Sequence, residues 1–486
     1  MTHNRIKGIG LLILFLSATM GQAQNKEKRE FYAKNIQPIE NDGTIEGYSV
    51  FFEDKNDLRS NKEYFLEYYD EAGAFETSTN IVRDGFYRLL ESSFNGELLC
   101  FKFFNLQTKE LVLEFFDVDG EFLYDEIIPS TKAEKYMLVG AAAGNFPWIP
   151  TLISVPGKGF VNSRVTREKR VTHFMTKYYS NKGEENDWSI DSREAEEAVA
   201  MELPLAAIKD KLFLRTCDNS GLYDIGIRLK KVETGADIGG ITFKQDDFTR
   251  RIRAVKELSE GRYTVLGYLL NGVQKKETNK GIFKLMLDEF GKQISYSEYL
   301  YSKDEQEFDF IHIHDFEFDK SENLIVIGEV LDLKGGSTYT AEYKRGPKVI
   351  IGNLLVFKFD TGWNKIDLLT LEKSEKKTSM PFASEYAGNS ALAMIVNEAE
   401  AFEFVYADNT GATIDIYYYN KEKRKGDKNS YVCVKVTYNG ESNTTSTIDL
   451  GPDAKRIKVL PGNGKIIVAE YLKKEKKLHF IETPFE

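Results

Sequence analysis

Cysteine, tryptophan and histidine are scarce in these 486 residues, at 3, 3 and 5. Three cysteines cannot build a disulfide framework, so stability must come from an apolar core. Cys100, Cys217 and Cys433 each stand inside an apolar, strand-like run (ELLCFKFF, KLFLRTC, YVCVKV) and are expected as buried free thiols. An excess of positive charge is also missing. The formal net charge is −11, and Arg5 and Lys7 are the charged residues of the first 23, so residues 24–486 carry −11 − 2 = −13. That balance excludes nucleic acid and anionic membrane as partners, because both require a basic footprint. The basic blocks 421–428 and 473–477 carry interspersed acids and read as solvated turns.

Long apolar runs are absent as well. Ile9 to Leu16 is too short to span a bilayer. With Arg5 and Lys7 before it and Gly21-Gln22-Ala23 after it, residues 1–23 read as a cleaved signal peptide. No cysteine follows the apolar core, so no lipid anchor is expected. A leader ending in AQ resembles those of exported proteins of Gram-negative bacteria, which implies a periplasmic or extracellular location. The uncharged window 136–155 is broken by Gly140, Gly144, Asn145, Pro147 and Pro150, which predicts a loop and no membrane insertion.

What is abundant is aromatic and alternating sequence, with 26 Tyr and 33 Phe, the composition of an all-β chain. An internal repeat organises it. A turn followed by a short apolar strand occurs as EGYSVFFE (46–53), NGELLCFK (95–102), KGFVNSRV (158–165), DKLFLRTC (210–217), GRYTVLGYL (261–269), ENLIVIGEV (322–330), NSALAMIVN (389–397) and GKIIVAEYL (464–472). A second element, an apolar strand running into a glycine turn, follows the first seven of these, as in EYYDEAGAF (67–75), EFFDVDGEF (114–122) and LMLDEFGKQ (285–293). In such turns an Asp or Asn side chain starts the turn and Gly takes the positive φ.

Read as strands A to D, each unit is one four-stranded antiparallel blade of a β-propeller, with eight blades expected and seven as the alternative. The last unit ends after strand C (KKLHFIETPFE), and the isolated piece EFYAKNI (30–36) is expected to supply its missing strand D. Residues 24–486 are thus expected to form a single propeller domain closed by pairing of the N-terminal strand with the C-terminal blade. The unit DFEFDKSENLIVIGEV (315–330) resembles the strand–turn–strand of NHL-type and related propellers. The resemblance implies a fold and leaves the activity open.

The A–B and C–D turns are short, whereas connections such as 53–62, 128–150, 271–281, 331–352 and the stretch after Glu398 are long. Irregular loops on a rigid scaffold make that face the expected binding surface. Trp148 in the apolar loop, and Tyr343 and Arg345 in 331–352, are its candidate ligand contacts. In FDFIHIHDFEFD (308–319), period two puts His312 and His314 on one face with Phe308, Phe310, Phe316 and Phe318. Both histidines are candidate ligand-binding residues at the start of an inner strand, near the channel mouth. Packing explains their spacing without a metal, and no third ligand follows them in sequence. The D-x-D-G of 117–120 serves as a turn. No G-x-S-x-G, P-loop, H-E-x-x-H or sialidase-type box is present, catalytic residues are undefined, and no cofactor is implied. The expectation is an exported, monomeric, non-catalytic binding or scaffold propeller recognising protein or glycan. The alternative is a channel-mouth hydrolase or lyase that uses carboxylates, with or without a metal near His312 and His314.

Overall fold

The computed structural model describes residues 31–41, 44–54, 61–132, 134–135, 138–139, 151–168, 171–192, 201–217, 223–244, 247–272, 277–334, 338–339, 344–345, 347–380, 388–423, 429–451, 457–472 and 477–483. The expected leader lies outside them. The chain is nearly all β and divides into two compact bodies, one of residues 1–87 with 455–483 and one made mainly of residues 88–454.

The smaller body holds the first and last sheets. The first is β1 (Phe31–Asn41), β2 (Thr44–Asp54), β3 (Lys62–Asp70) and β4 (Phe75–Arg83), antiparallel in that order. The larger body begins with β5 (Tyr87–Phe94), β6 (Leu98–Asn105), β7 (Glu110–Asp117) and β8 (Phe122–Pro129). The third sheet is β9 (Leu152–Val155), β10 (Gly159–Glu168), β11 (Val171–Ser180) and β12 (Trp188–Asp191). Next come β13 (Met201–Ile208), β14 (Lys211–Cys217), β15 (Asp224–Lys231) and β16 (Asp237–Thr242). They are followed by β17 (Thr249–Ser259), β18 (Arg262–Asn271), β19 (Thr278–Leu287) and β20 (Gln293–Leu300). A single pairing, Asp224 with Arg250, joins these two meanders.

The sixth sheet is β21 (Phe310–Phe318), β22 (Leu324–Lys334), β25 (Lys348–Phe359) and β26 (Lys365–Leu371), and β27 (Lys376–Ser379) also pairs with β25. A small ribbon, β23 (Thr338–Tyr339) with β24 (Lys344–Arg345), interrupts it. The seventh sheet is β28 (Phe404–Asn409), β29 (Ile414–Lys423), β30 (Asn429–Tyr438) and β31 (Asn443–Gly451). In the smaller body the chain ends with β32 (Ile457–Gly462), β33 (Lys465–Leu472) and β34 (Lys477–Thr483).

Within each body, sequential sheets bury their apolar faces against one another. Leu113, Phe115 and Phe160 join the second and third sheets. Val161 and Leu214 join the third and fourth, and Phe213, Leu229 and Val265 the fourth and fifth. Ile327, Val356, Ile416 and Val434 join the sixth and seventh. Each such side chain taken fully from water contributes about 1.5–3 kcal/mol. Cys100, Cys217 and Cys433 are buried and free.

The glycine turns form as expected. At 117–121, the Asp117 carboxylate accepts from the Glu121 N–H at 2.8 Å while Gly120 takes φ 78°. Asp70 and Asp288 do the same, with Gly73 at φ 80° and Gly291 at φ 74°.

Two expected strands are placed otherwise. NSALAMIVN is the helix Asn389–Glu398 instead of a seventh strand B, a role taken by β29. Ser390, Ala391, Leu392, Ala393, Ile395 and Val396 are its buried residues, and Ala, Leu and Met are strong helix formers, whereas IDIYYY is β-branched and aromatic. Residues 31–36 of the piece EFYAKNI lie in β1, which pairs with β2 as strand A of the first sheet, and the last sheet has three strands among the described residues. Asn41 opposes Thr44 across a two-residue Asp-Gly link, so local hairpin chemistry claims this strand. The first and last sheets meet by packing instead: Tyr48, Val50 and Phe65 lie against Leu460 and Ile467. A polar clasp reinforces that contact, with the Ile45 N–H donating to Asn463 Oδ1 at 2.9 Å and the Tyr48 hydroxyl to the Pro461 carbonyl at 2.8 Å.

Candidate functional site: a buried histidine–carboxylate–lysine cluster

β21 carries His312 and His314 into the core, His312 against Tyr268 of the fifth sheet and Phe402, and His314 against Phe402 and Phe404 at the start of β28. Its register with β22 slips between Ile313 and Asp315, so His314 is the extra residue of a bulge. The two rings still meet, 4.9 Å apart and edge to face. His312 stacks on Phe402 at 4.7 Å with the planes 5° apart, and His314 stacks on Phe404 at 4.7 Å. Asp315 turns away to pair with Lys256 at 2.6 Å. The rings against the histidines are those of Phe402 and Phe404, not the strand's own phenylalanines expected from period two, which the bulge interrupts.

Both histidine side chains are buried. His312 is 1% exposed and the His314 side chain 5%. The cover is Phe402 and the Asn389–Glu398 helix, the segment expected as a strand. Ser390 holds the helix down: its N–H donates to Glu277 Oε1 at 2.6 Å and its hydroxyl accepts from Arg251 at 2.7 Å. The Asn389 side-chain amide donates to the carbonyls of Glu277 and Asp309, both at 3.2 Å.

His312 lies against the hydroxyl of Tyr268. The Ile313 N–H donates to the Tyr268 hydroxyl at 2.9 Å, and that hydroxyl stands 3.3 Å from His312 Nδ1. Nε2 has no partner at hydrogen-bond geometry. Burial, then the neighbouring His314 and Arg253, push His312 well below the ordinary histidine range. Burial also lowers His314, against the opposing pull of Glu329.

His314 Nε2 reaches Glu329 Oε2 at 2.9 Å. Glu329 is fully buried and also meets Lys373 Nζ at 3.0 Å, and the backbone N–H groups of Glu403 and Phe404 donate to it at 3.2 Å. Lys373 continues to Glu403 at 2.6 Å. Burial alone would raise Glu329; bonds and charge from His314 and Lys373 outweigh it and hold the carboxyl below its usual range. Burial keeps Glu403 raised despite Lys373. The chain His314–Glu329–Lys373–Glu403 therefore ties β21, β22, the link between β26 and β27 and the residue before β28 into one network.

Sequence reasoning found the two histidines and missed Glu329, Lys373 and Glu403. The available signal was Glu329 itself, a carboxylate in the middle of the apolar run LIVIGEVL, which demands a buried partner. Among the described residues, no group of three or more His, Cys, Asp or Glu side chains could hold a metal ion. Trp148 and Tyr343 lie outside the described residues; Arg345 falls in β24, opposite Thr338. No helix among the described residues is long and apolar enough to cross a membrane.

Two surface clefts flank the contact of the second and third sheets. One, of about 250 Å³, is lined by Arg164, His173 and Asp191 among others. Arg164 is already held there by Glu134 at 2.9 Å. The other, of about 270 Å³, is lined by Tyr124, Asp125, Glu126, Lys177, Tyr179 and Asp187.

Residues 4–224 and 326–482 match the pattern of a family of unknown function, DUF6770. The chain belongs to that family. No curated protein matches it. Among solved structures it is similar to one from a study of two prolyl endopeptidases, at 12% identity and a TM-score of 0.41, covering 92% of this chain and 55% of that one. It is also similar to a europium-containing methanol dehydrogenase, at 10% identity and a TM-score of 0.43, covering 92% of this chain and 85% of that one. A third is prolyl oligopeptidase B from Galerina marginata, at 9% identity and a TM-score of 0.41, covering 91% of this chain and 56% of that one. The chain spans little more than half the length of the two peptidase structures. With TM-scores below 0.5, none of these activities transfers to this DUF6770 protein.

Proposed function

We propose that this DUF6770 protein is an exported β-propeller of eight blades acting as a non-catalytic binding or scaffold module, with protein or glycan recognised on its long-loop face. The observation that carries the non-catalytic part is the closure of the histidine cluster. Its best-placed groups, His314 and Glu329, are bonded to each other and buried beneath Phe402 and a pinned helix. A general acid or base needs access to a substrate proton, and here that access is filled by protein. Support for eight blades comes from the run of meanders, each packed on the next within its body, and for a loop-borne site from the length of the connections after β8 and between β22 and β25.

The test is a glycan array and a cross-linking pull-down from periplasmic extract, run with wild type and a Trp148→Ala, Tyr343→Ala, Arg345→Ala variant. A ligand that binds wild type and is lost in the variant, with unchanged thermal unfolding, supports the reading. Ligands retained by the variant would remove the long-loop face from it. Turnover abolished by His314→Gln in a hydrolase or lyase screen would replace it with the enzyme reading.

A further inference from the structure

The cleft of about 250 Å³ between the second and third sheets stands beside the long connection from β8 to β9. Strand register assembles it. Arg164 on β10 lies directly opposite Met175 on β11, and Met175 lies opposite Asp191 on β12. Cross-strand partners share a sheet face, and period two adds His173 to that face. Pro129, the last residue of β8, and Thr131 just beyond it complete the lining.

Arg164 is built into this site. Its side chain is 10% exposed. Nε donates to Glu134 at 3.1 Å, and Nη2 donates to the same carboxylate and to the Pro129 carbonyl, each at 2.9 Å. Glu134 is held in turn by reciprocal bonds with Thr131. The Thr131 N–H donates to Glu134 Oε2 at 2.7 Å, and the Glu134 N–H donates to the Thr131 hydroxyl at 3.3 Å. The remaining nitrogen, Nη1, has no partner among the described residues. A guanidinium fixed along one edge thus keeps N–H donors for an occupant of the cleft it lines.

Charge decides the class of that occupant. Glu134 cancels Arg164 and Asp191 adds a negative charge, so the surroundings give a free anion no net attraction. Donors and acceptors are both present. Arg164 Nη1 donates, the Asp191 carboxylate accepts, and the ring of His173 does either according to its tautomer. Met175 and Pro129 add apolar surface. An uncharged ligand whose adjacent hydroxyls both donate and accept, and which also carries a C–H face, meets each of these demands. On the reading that the long-loop face is the binding surface, we propose that this cleft holds one sugar ring of a neutral glycan. Its hydroxyls are shared between Arg164, His173 and Asp191, and its C–H face lies on Met175.

The experiment is calorimetric titration of the full chain with the methyl glycosides of mannose, galactose and glucose and with N-acetylglucosamine, and with sodium acetate as the anionic control. Saturable binding of at least one sugar in the millimolar range is expected, and none of acetate. Asp191→Asn and Arg164→Lys, which keeps a cation for Glu134 but loses the fork, should each weaken that sugar by roughly tenfold. His173→Gln, at a partly exposed position, spares the fold and should weaken it severalfold. Saturating sugar should also slow modification of His173 by diethyl pyrocarbonate and leave His479 unaffected. Absence of saturable binding by all four sugars overturns the assignment. So does acetate binding more tightly than any sugar, or sugar binding undiminished by both Asp191→Asn and His173→Gln. A glycan kept by those two variants but lost in the Trp148→Ala, Tyr343→Ala, Arg345→Ala variant overturns this cleft alone. A chain that binds neither glycan nor protein overturns the long-loop reading with it.

Discussion

His314 Nε2 and Glu329 Oε2 stand 2.9 Å apart, with both side chains buried. Glu329 is the hub of this contact, since Lys373 and two backbone N–H groups converge on the same carboxylate. Glu329→Gln should therefore cost about 3–5 kcal/mol in urea unfolding, the range for breaking a buried ion pair from one side. Adding Lys373→Met to it should cost much less than the sum of the two single changes, because the orphaned partner is gone.

The histidines make stability pH-dependent in a defined direction. His312 and His314 have folded pKa values below the ordinary one, so the unfolded chain takes up protons first as pH falls. Stability should be full above about pH 6.5 and decline below it, by about 1.4 kcal/mol per pH unit for each histidine. Glu329, also lowered, adds a further loss as pH drops through the carboxylate range. Urea midpoints between pH 5 and 8 check this, and His312→Gln should flatten the slope.

Gly73 and Gly96 separate backbone strain from sheet packing. Both have positive φ, at 80° and 96°. A Cβ on Gly96 would meet nothing within 4 Å, whereas on Gly73 it would stand 2.1 Å from Phe480 Cβ of β34. Gly96→Ala should cost about 1–2 kcal/mol. Gly73→Ala should exceed that by about 1–3 kcal/mol, the cost of overpacking, if the first and last sheets meet as described. Thermal or urea unfolding of the pair measures the difference.

Ser390→Ala tests how the covering helix is held. It leaves the buried Arg251 without the acceptor it reaches at 2.7 Å, a loss of about 1.5–3 kcal/mol. Amide exchange should quicken at Leu392, Ile395 and Val396 and stay unchanged in β6 and β7.

Legibility followed locality. Turns set by neighbouring residues, such as Asp117 with Gly120, were readable because aspartate bonding and positive φ are local demands. The sequence singled out His312 and His314 on an aromatic-rich strand, but the rings that pack on them, Phe402 and Phe404, come from a distant segment it did not point to. NSALAMIVN misled because an apolar run after a turn fits a buried strand as well as a helix; its Ala, Leu and Met content was the overlooked clue. The network around Glu329 was unreadable because Glu403 is 74 residues away and meets it through packing of separate sheets. The sealing of the histidines, which decides between brace and reactive site, was hidden by the same distance.

That sealing is tested most directly by histidine footprinting of the native chain with diethyl pyrocarbonate, read by mass spectrometry. His479 is exposed and His173 partly so, and both should be modified readily. His312 and His314 should stay unmodified until the chain unfolds. Modification of His312 or His314 in the folded protein, at a rate like that of His479, would contradict the account of a closed structural cluster.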